Sequence, residues 1–508
     1  MQTRTASHLS LVLLIVASGC GTAADNRPAA CFVPPPFQGE GPPESVCLER
    51  LAAGVLEDGC GVFVADDLGC GYDANAGTKG TPVRTVQRAV ELARTGRGRV
   101  FVCAGDFAGP LTLPSGVDLI GGFSCWDWKR TPGTRSVLQS DKLSSIVTVV
   151  PASAGDTGAA DGVSTITDMS LLAGHSIAML VRSDTAVEII RSEIRTADAW
   201  GGDWGGEYPP PFHAPDGADG MAGGDACSAT IVAGGSAPVS QCDGGIPSIG
   251  GKGGDGLPDG GDDGEDGQPT PTWDPDPDGW GGDGDTKGHC IGGLYGSEGA
   301  PGTMGAGGRG IGRISEAGWE GDKGGDGSPG LPGQGGGGGG GRRGGLAACG
   351  VASLGGAGGG SGGAGGCGGR GGRGGGNGNP TIGILALHAK VTVRDSVITT
   401  LHGGGGGAGG LAERGGKGGR GAPDIALADG TMTCGGGAGG TGGYGGPGGP
   451  GRGGDSIGIA YLDEDQLTLE DVTFELGPPG KGGISDNRDG SLVYAEDGNA
   501  FETQRFPE

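Results

Sequence analysis

Asp274, Asp276 and Asp278, followed by Gly279 and then Asp285, place acids at positions one, three, five and twelve of a loop whose sixth residue is glycine. That is the spacing of a calcium loop, in which hard carboxylate oxygens at alternate positions converge on one cation because the glycine permits a sharp turn. Asp285 stands where glutamate is usual and Gly281 where an aliphatic residue is usual, and no helical pattern flanks the loop. The competing reading is a solvated acidic loop. Calcium is the one cofactor the sequence offers. A second chemical feature is aromatic. Trp200, Trp204, Tyr208, Trp273, Trp280, Tyr295 and Trp319 gather in or beside a single glycine-rich stretch. Sugar faces stack on such rings, so these residues define a candidate glycan platform; the alternative is that they cover a junction within the fold.

Three matching cassettes supply the elements that must position these residues. Ser176-Ile177-Ala178-Met179, Thr381-Ile382-Gly383-Ile384 and Ser456-Ile457-Gly458-Ile459 each open a strand-rich segment. Each cassette continues with an apolar pair and a further apolar residue: Val187, Ile189 and Ile194; Val391, Val393 and Ile398; Leu467, Leu469 and Phe474. A partial copy carries Ile146 to Val150, Ile166 and Leu171. Glycine-rich sequence follows the three full cassettes from Gly201, Gly403 and Gly477. A repeat that survives interruptions of different length is one scaffold with inserts in its loops. The cassettes are therefore expected as adjacent coils with Ile189, Val393 and Leu469 stacked in the core. The inserts should leave from one edge, side by side, as a sheet-like bundle. Upstream, Val83, Val86, Val90 and Ala93 form one apolar stripe on a short helix.

Glycine makes up 128 of 508 residues, against a usual share of about 7%, and aromatics only 5%. The net charge of −26 excludes nucleic acid and an anionic membrane surface as natural partners and permits divalent cations. Arg4, an apolar run from Leu9 to Val16 and Ala17-Ser18-Gly19-Cys20 read as an export signal. The segment resembles a bacterial lipoprotein signal in which Cys20 becomes the acylated first residue, although Ala17 stands where a larger aliphatic is usual. Plain secretion is the alternative. Of thirteen cysteines, setting Cys20 aside leaves an even number suited to disulfides in an oxidising compartment. With no C-x-x-C pair and only six histidines, the chain offers no zinc site.

Gly77-Thr78, Pro82, Thr85, Ala89, Gly105, Phe107, Gly116-Val117, Leu119, Gly121-Gly122-Phe123 and Trp126 follow a pattern of bacterial surface proteins. With them the chain resembles the right-handed parallel β-helix of the pectin-lyase-like superfamily, clearly over 59–200 and more weakly in the two later cassettes. The resemblance implies an all-β fold with an N-terminal capping helix over the first coil, and Cys103 and Cys125 on neighbouring coils where they can be joined. Such folds often carry polysaccharide lyases or hydrolases, which use acidic calcium ligands with an Arg or Lys base, or paired carboxylates. The cassettes offer Asp168, Glu188, Arg394, Asp395, Glu470 and Asp471. Asp168, Asp395 and Asp471 recur at one cassette position, where Arg191 breaks the series. Polar coil edges explain them equally, and no catalytic motif carries over.

Glycine recurs every third residue from Gly293, Gly318, Gly356 and Gly436. That is the period of the extended polyproline-II-type helix, and at about 3.1 Å per residue the runs would be rods roughly 55–75 Å long. Flexible linker is the competing reading. The segments are similar to glycine-rich PGRS-like inserts, to domains of certain phage tail adhesins and to an arthropod antifreeze protein, which implies polyglycine-II-like packing. The organisation expected is an export signal (1–19), a Cys/Pro-rich linker (20–58), first coils (59–200), an insert (201–380), a coil (381–402), an insert (403–455), the last coil (456–490) and a tail (491–508). The function expected is a non-catalytic lipoprotein of the outer membrane or cell surface, or else a secreted protein. It would be structural or adhesive, with an extracellular polysaccharide or cell-surface component as partner and membrane contact only through the lipid. The alternatives are a polysaccharide lyase or hydrolase and an ice- or crystal-surface binder.

Overall fold

The computed structural model of the chain describes residues 41–507 apart from 155, 157–161, 211, 244, 272–277 and 429. Cys20, Trp273, Asp274 and Asp276 therefore lie outside the described residues. Most described elements are short strands, and the principal sheets are three, all parallel. The first has seven strands: Val62–Val64, Arg99–Cys103, Asp118–Phe123, Val163–Thr167, Ala186–Ile190, Lys390–Arg394 and Leu467–Glu470. The second runs Asp106–Ala108, Ser136–Gln139, Met169–Leu172, Glu193–Arg195, Val397–Thr399 and Thr473–Glu475. The third runs Leu111–Pro114, Val147–Val150, Ile177–Val181, Thr381–Ala386, Ser456–Tyr461 and Ala500–Arg505. From Arg99 onward the chain visits first, second and third sheet in turn.

The cassettes stack in register. Ile189 pairs with Val393 and Val393 with Leu469; Ile194 pairs with Ile398 and Ile398 with Phe474. Ile189 and Val393 are fully buried, but Leu469 is 36% exposed, contrary to expectation, because its strand is the last of the first sheet and nothing stacks beyond it. In the first sheet Ala186–Ile190 and Lys390–Arg394 alternate, with one face inward. The third-sheet strands that open the cassettes, Ile177–Val181, Thr381–Ala386 and Ser456–Tyr461, are buried on both faces. Ala178, Met179 and Val181 face the main core, whereas Ile177, Leu180, Ile382 and Leu385 pack outward. The hairpin Arg313–Ser315 with Gly318–Glu320, carried inside the first glycine-rich segment, covers that outer face with Ile314 and Trp319. Two-sided cover explains the unbroken apolar runs that open the cassettes. The cassette glycines have a local reason too. A Cβ at Gly383 would overlap Ile398, and one at Gly458 would overlap Phe474.

The helix Val86–Ala93 begins at Thr85, whose side chain accepts from the Arg88 amide, and packs against the first strands of the first and third sheets. It shields the open end of the stack. Within the segment expected as linker, Glu44–Ala52 is a helix, bonded through Cys47 to Cys60 and through Glu44 to Arg97 and Arg99. The expected tail is also structured, since Ala500–Arg505 completes the third sheet beside Ser456–Tyr461.

Glycine-rich segments leave after Arg195, after Thr399 and after Glu475, in every case between the second and third sheets. Their amides bond between segments. From Gly359 to Cys367 each N–H donates in rotation to three neighbours: Gly359 to Gly254, Gly360 to Cys434, Ser361 to Met221, then Gly362 to Gly251, Gly363 to Gly437 and Ala364 to Ala218. Gly365 turns to the Ser248 hydroxyl, and Gly366 and Cys367 resume with Gly440 and Pro215. Residues 333–342 do the same toward 357–366, 291–297 and 262–268. The expectation of a sheet-like arrangement is thus corrected to a three-dimensional one. Three residues per turn point successive amides about 120° apart, and a flat layer would leave one amide in three without a partner. The period from Gly293 holds through Gly308, but Gly318 belongs to the hairpin and the inter-segment amide bonds of the second run begin at Gly324.

Candidate functional site

Where the first glycine-rich segment meets the third sheet, three stretches converge on a cleft of about 500 Å3 lined by Trp200, Asp203, Trp319, Asp322, Lys323, Asn377 and Asn379. Glycines 201, 202, 321 and 376 line it as well, so part of its wall is backbone. Main-chain bonds hold the stretches together: Asn379 N–H to the Trp200 carbonyl at 3.0 Å, Gly376 to Asp203 at 2.8 Å and Asn377 to Asp322 at 3.1 Å. Trp319 is fixed by its indole N–H, which donates to the Ile311 carbonyl at 2.7 Å, and by its packing on the outer face of the third sheet. Trp200 is 65% exposed and free to receive a ring.

The polar groups fall into two sets. Lys323 is engaged by Asp326 at 2.9 Å, and the Asn377 oxygen accepts from the Arg452 amide at 2.8 Å. Among the described residues, the carboxylates of Asp203 and Asp322 and the side-chain amide of Asn379 have no protein partner. An aromatic face beside unpartnered carboxylate and amide groups is an arrangement that stacks a ring and hydrogen-bonds its hydroxyls. Beside the cleft, Arg452 and Asp455 form a buried bidentate pair at 2.7 and 3.1 Å, fixing the chain where it enters the strand at Ser456.

Other candidates from the sequence are placed differently. Asp285 is 1% exposed; its carboxylate accepts from Gly288 N–H at 2.6 Å and from Arg343 N–H at 3.4 Å, beside Arg342 at 3.6 Å. It caps a turn inside the protein. The Asp278 amide donates to Ser297 at 3.2 Å. Among the described residues no group of three or more His, Cys, Asp and Glu is placed to hold a metal ion. Arg394 lies between Glu188, at 2.6 Å, and Glu470, at 2.9 Å, so these three form an ion-pair ladder on the first sheet. Asp168, Arg191, Asp395 and Asp471 occupy one corner between the first and second sheets, all with positive φ near 50°. Arg191 binds Asp168 through two hydrogen bonds of 2.9 and 3.1 Å, and Arg130 reaches the same carboxylate at 2.6 Å.

Of the aromatic set, Trp200 and Trp319 meet in the cleft. Tyr208 instead donates to the Gly371 carbonyl at 2.5 Å beneath the Arg370 guanidinium, 4.4 Å from its ring centre. Arg370 is in turn held by Glu413 at 2.9 and 3.2 Å. Trp204, Trp280 and Tyr295 are exposed outside the cleft. Asp203, Asp322, Asn377 and Asn379 went unread in the sequence. The available signal was their position within four residues of Trp200, Trp319 or the strand at Thr381.

Cys103 is bonded to Cys125. Three further disulfides, Cys227–Cys349, Cys242–Cys367 and Cys290–Cys434, tie distant glycine-rich stretches together. All eleven cysteines among the described residues are disulfide-bonded.

The fold is that of an all-β protein built on parallel sheets. A family described as a protein of unknown function (DUF1565) matches residues 70–177, from the segment before the capping helix to the start of the third-sheet strand at Ile177. No curated protein and no solved structure matches the chain.

Proposed function

We propose that this is a non-catalytic surface protein whose scaffold is a right-handed parallel β-helix presenting a bundle of polyglycine-II-type helices as a structural or adhesive module. Its partner on this reading is an extracellular polysaccharide or other cell-surface component. One observation carries the reading: every glycine-rich excursion leaves between the same two sheets, so a large rigid body is displayed from one side of a rigid stack. A right-handed path is the general rule for parallel strands joined through a crossover. The engagement of Glu188, Arg394, Glu470 and Asp168 in ion pairs supports a structural use of the residues that a lyase or hydrolase would need free. The export segment and the disulfide-bonded cysteines support an oxidising compartment, with a lipid on Cys20 as the membrane attachment.

The test uses the purified full chain with immobilised neutral and acidic polysaccharides. Retention without release of reducing or unsaturated sugar ends is expected. Turnover of any of them would overturn the reading. Mass spectrometry of protein from membranes should find a diacylated Cys20, and an unmodified mature N-terminus would remove the anchor.

A further inference from the structure

We propose that the cleft between Trp200 and Trp319 is a binding site for a neutral glycan chain and discriminates against uronate-containing ones. The inference rests on the adhesive reading above and assigns its ligand chemistry and its place. The cleft volume, about 500 Å3, lies within the range of small-ligand sites. The exposed indole of Trp200 supplies an apolar face, and Trp319, whose N–H and ring are already fixed by the scaffold, lines the cleft with it.

Charge decides between glycan classes. Among the described residues, Asp203 and Asp322 bring two carboxylates without partners, while the sole cation lining the cleft, Lys323, is held by Asp326. A sugar carboxylate entering here meets like charge, with the cleft's lysine already committed to Asp326. Sugar hydroxyls meet acceptors in the two aspartates and a donor in the Asn379 amide. The net charge of −26 also opposes the approach of a polyanion. Because the walls come from 200–203, 319–323 and 376–379, the site exists only where the glycine-rich segments and the third sheet are assembled together.

Isothermal titration and tryptophan fluorescence of the full chain with cellohexaose, xylohexaose, mannohexaose and hexagalacturonate test the proposal. At least one neutral oligomer should bind, with hexagalacturonate weaker by about tenfold or more. Trp200→Ala, at a side chain 65% exposed, should fold normally and lose about tenfold in affinity for the neutral oligomer. Asp203→Lys should raise the affinity for hexagalacturonate and lower that for the neutral chain. Preference of the unaltered protein for hexagalacturonate would overturn the choice of ligand while leaving the adhesive reading standing. Neutral binding unchanged in both variants would overturn the site. Failure of all four oligomers would overturn the proposal, and retention on another surface component would still support adhesion.

Discussion

Gly362 shows why glycine is required at the centre of the bundle. A Cβ there would overlap the Gly336 carbonyl oxygen, a backbone atom that is itself hydrogen-bonded and cannot retreat. One neighbouring position in each triplet does admit a side chain, and Ser361, Ala364 and Cys367 occupy it. Gly362→Ala should therefore cost about 3 kcal/mol by overpacking. Ser361→Ala, which loses a hydroxyl bonded to the Met221 amide at 2.8 Å, should cost about 1 kcal/mol. Urea unfolding of the oxidised protein checks both. Glu413 gives a pH handle on the same bundle. Burial pushes its carboxyl up, but the Arg370 hydrogen bonds outweigh this and hold it below its ordinary value. A carboxyl lowered in the folded protein adds stability above the unfolded pKa, about 4.3, which is lost as pH falls through the folded value. Glu413→Gln should therefore lower Tm at pH 7, and the difference should close as the pH falls below about 4. A difference independent of pH would contradict the ion-pair account.

Among the elements, the corner between the first and second sheets depends most on residue type. Asp168, Arg191, Asp395 and Asp471 all adopt left-handed backbone there, and Gly122 does so in the coil before them. Aspartate tolerates that conformation and β-branched residues do not. Asp471, exposed on the last coil, allows a clean test. Asp471→Val should cost about 1–2 kcal/mol and Asp471→Gly should be neutral or stabilising, both read by thermal melting. The sequence revealed the recurrence of these acids but not its cause, because a positive φ leaves no periodic mark. Cassettes were legible because Ile189, Val393 and Leu469 keep one spacing to Ile194, Ile398 and Phe474. The closing strand Ala500–Arg505 was not, since it carries one large apolar residue, Phe501, and takes its place through backbone pairing with Ser456–Tyr461.

At the scale of the whole molecule, two unlike kinds of order share one chain. The sheets are held by apolar side chains, the glycine-rich body by main-chain hydrogen bonds and three long-range disulfides. Period three was visible in the sequence, yet which runs become neighbours was not, because glycine carries no side-chain code for its partner. For the same reason the cleft was half legible: Trp200 and Trp319 stood out as aromatic, while Asp203, Asp322 and Asn379 acquire a role only when three distant stretches meet. Peptide mapping of the oxidised protein should recover Cys227–Cys349, Cys242–Cys367 and Cys290–Cys434, and any other pairing would require different neighbours in the body. The central claim, that the glycine-rich sequence is a hydrogen-bonded solid and not a linker, is tested most directly by native-state hydrogen exchange of the amides of residues 333–342 and 359–367. The account predicts protection comparable to that of the strands Ile177–Val181 and Thr381–Ala386. Exchange of those amides at the rate of an unfolded chain, with the strands still protected, would contradict it.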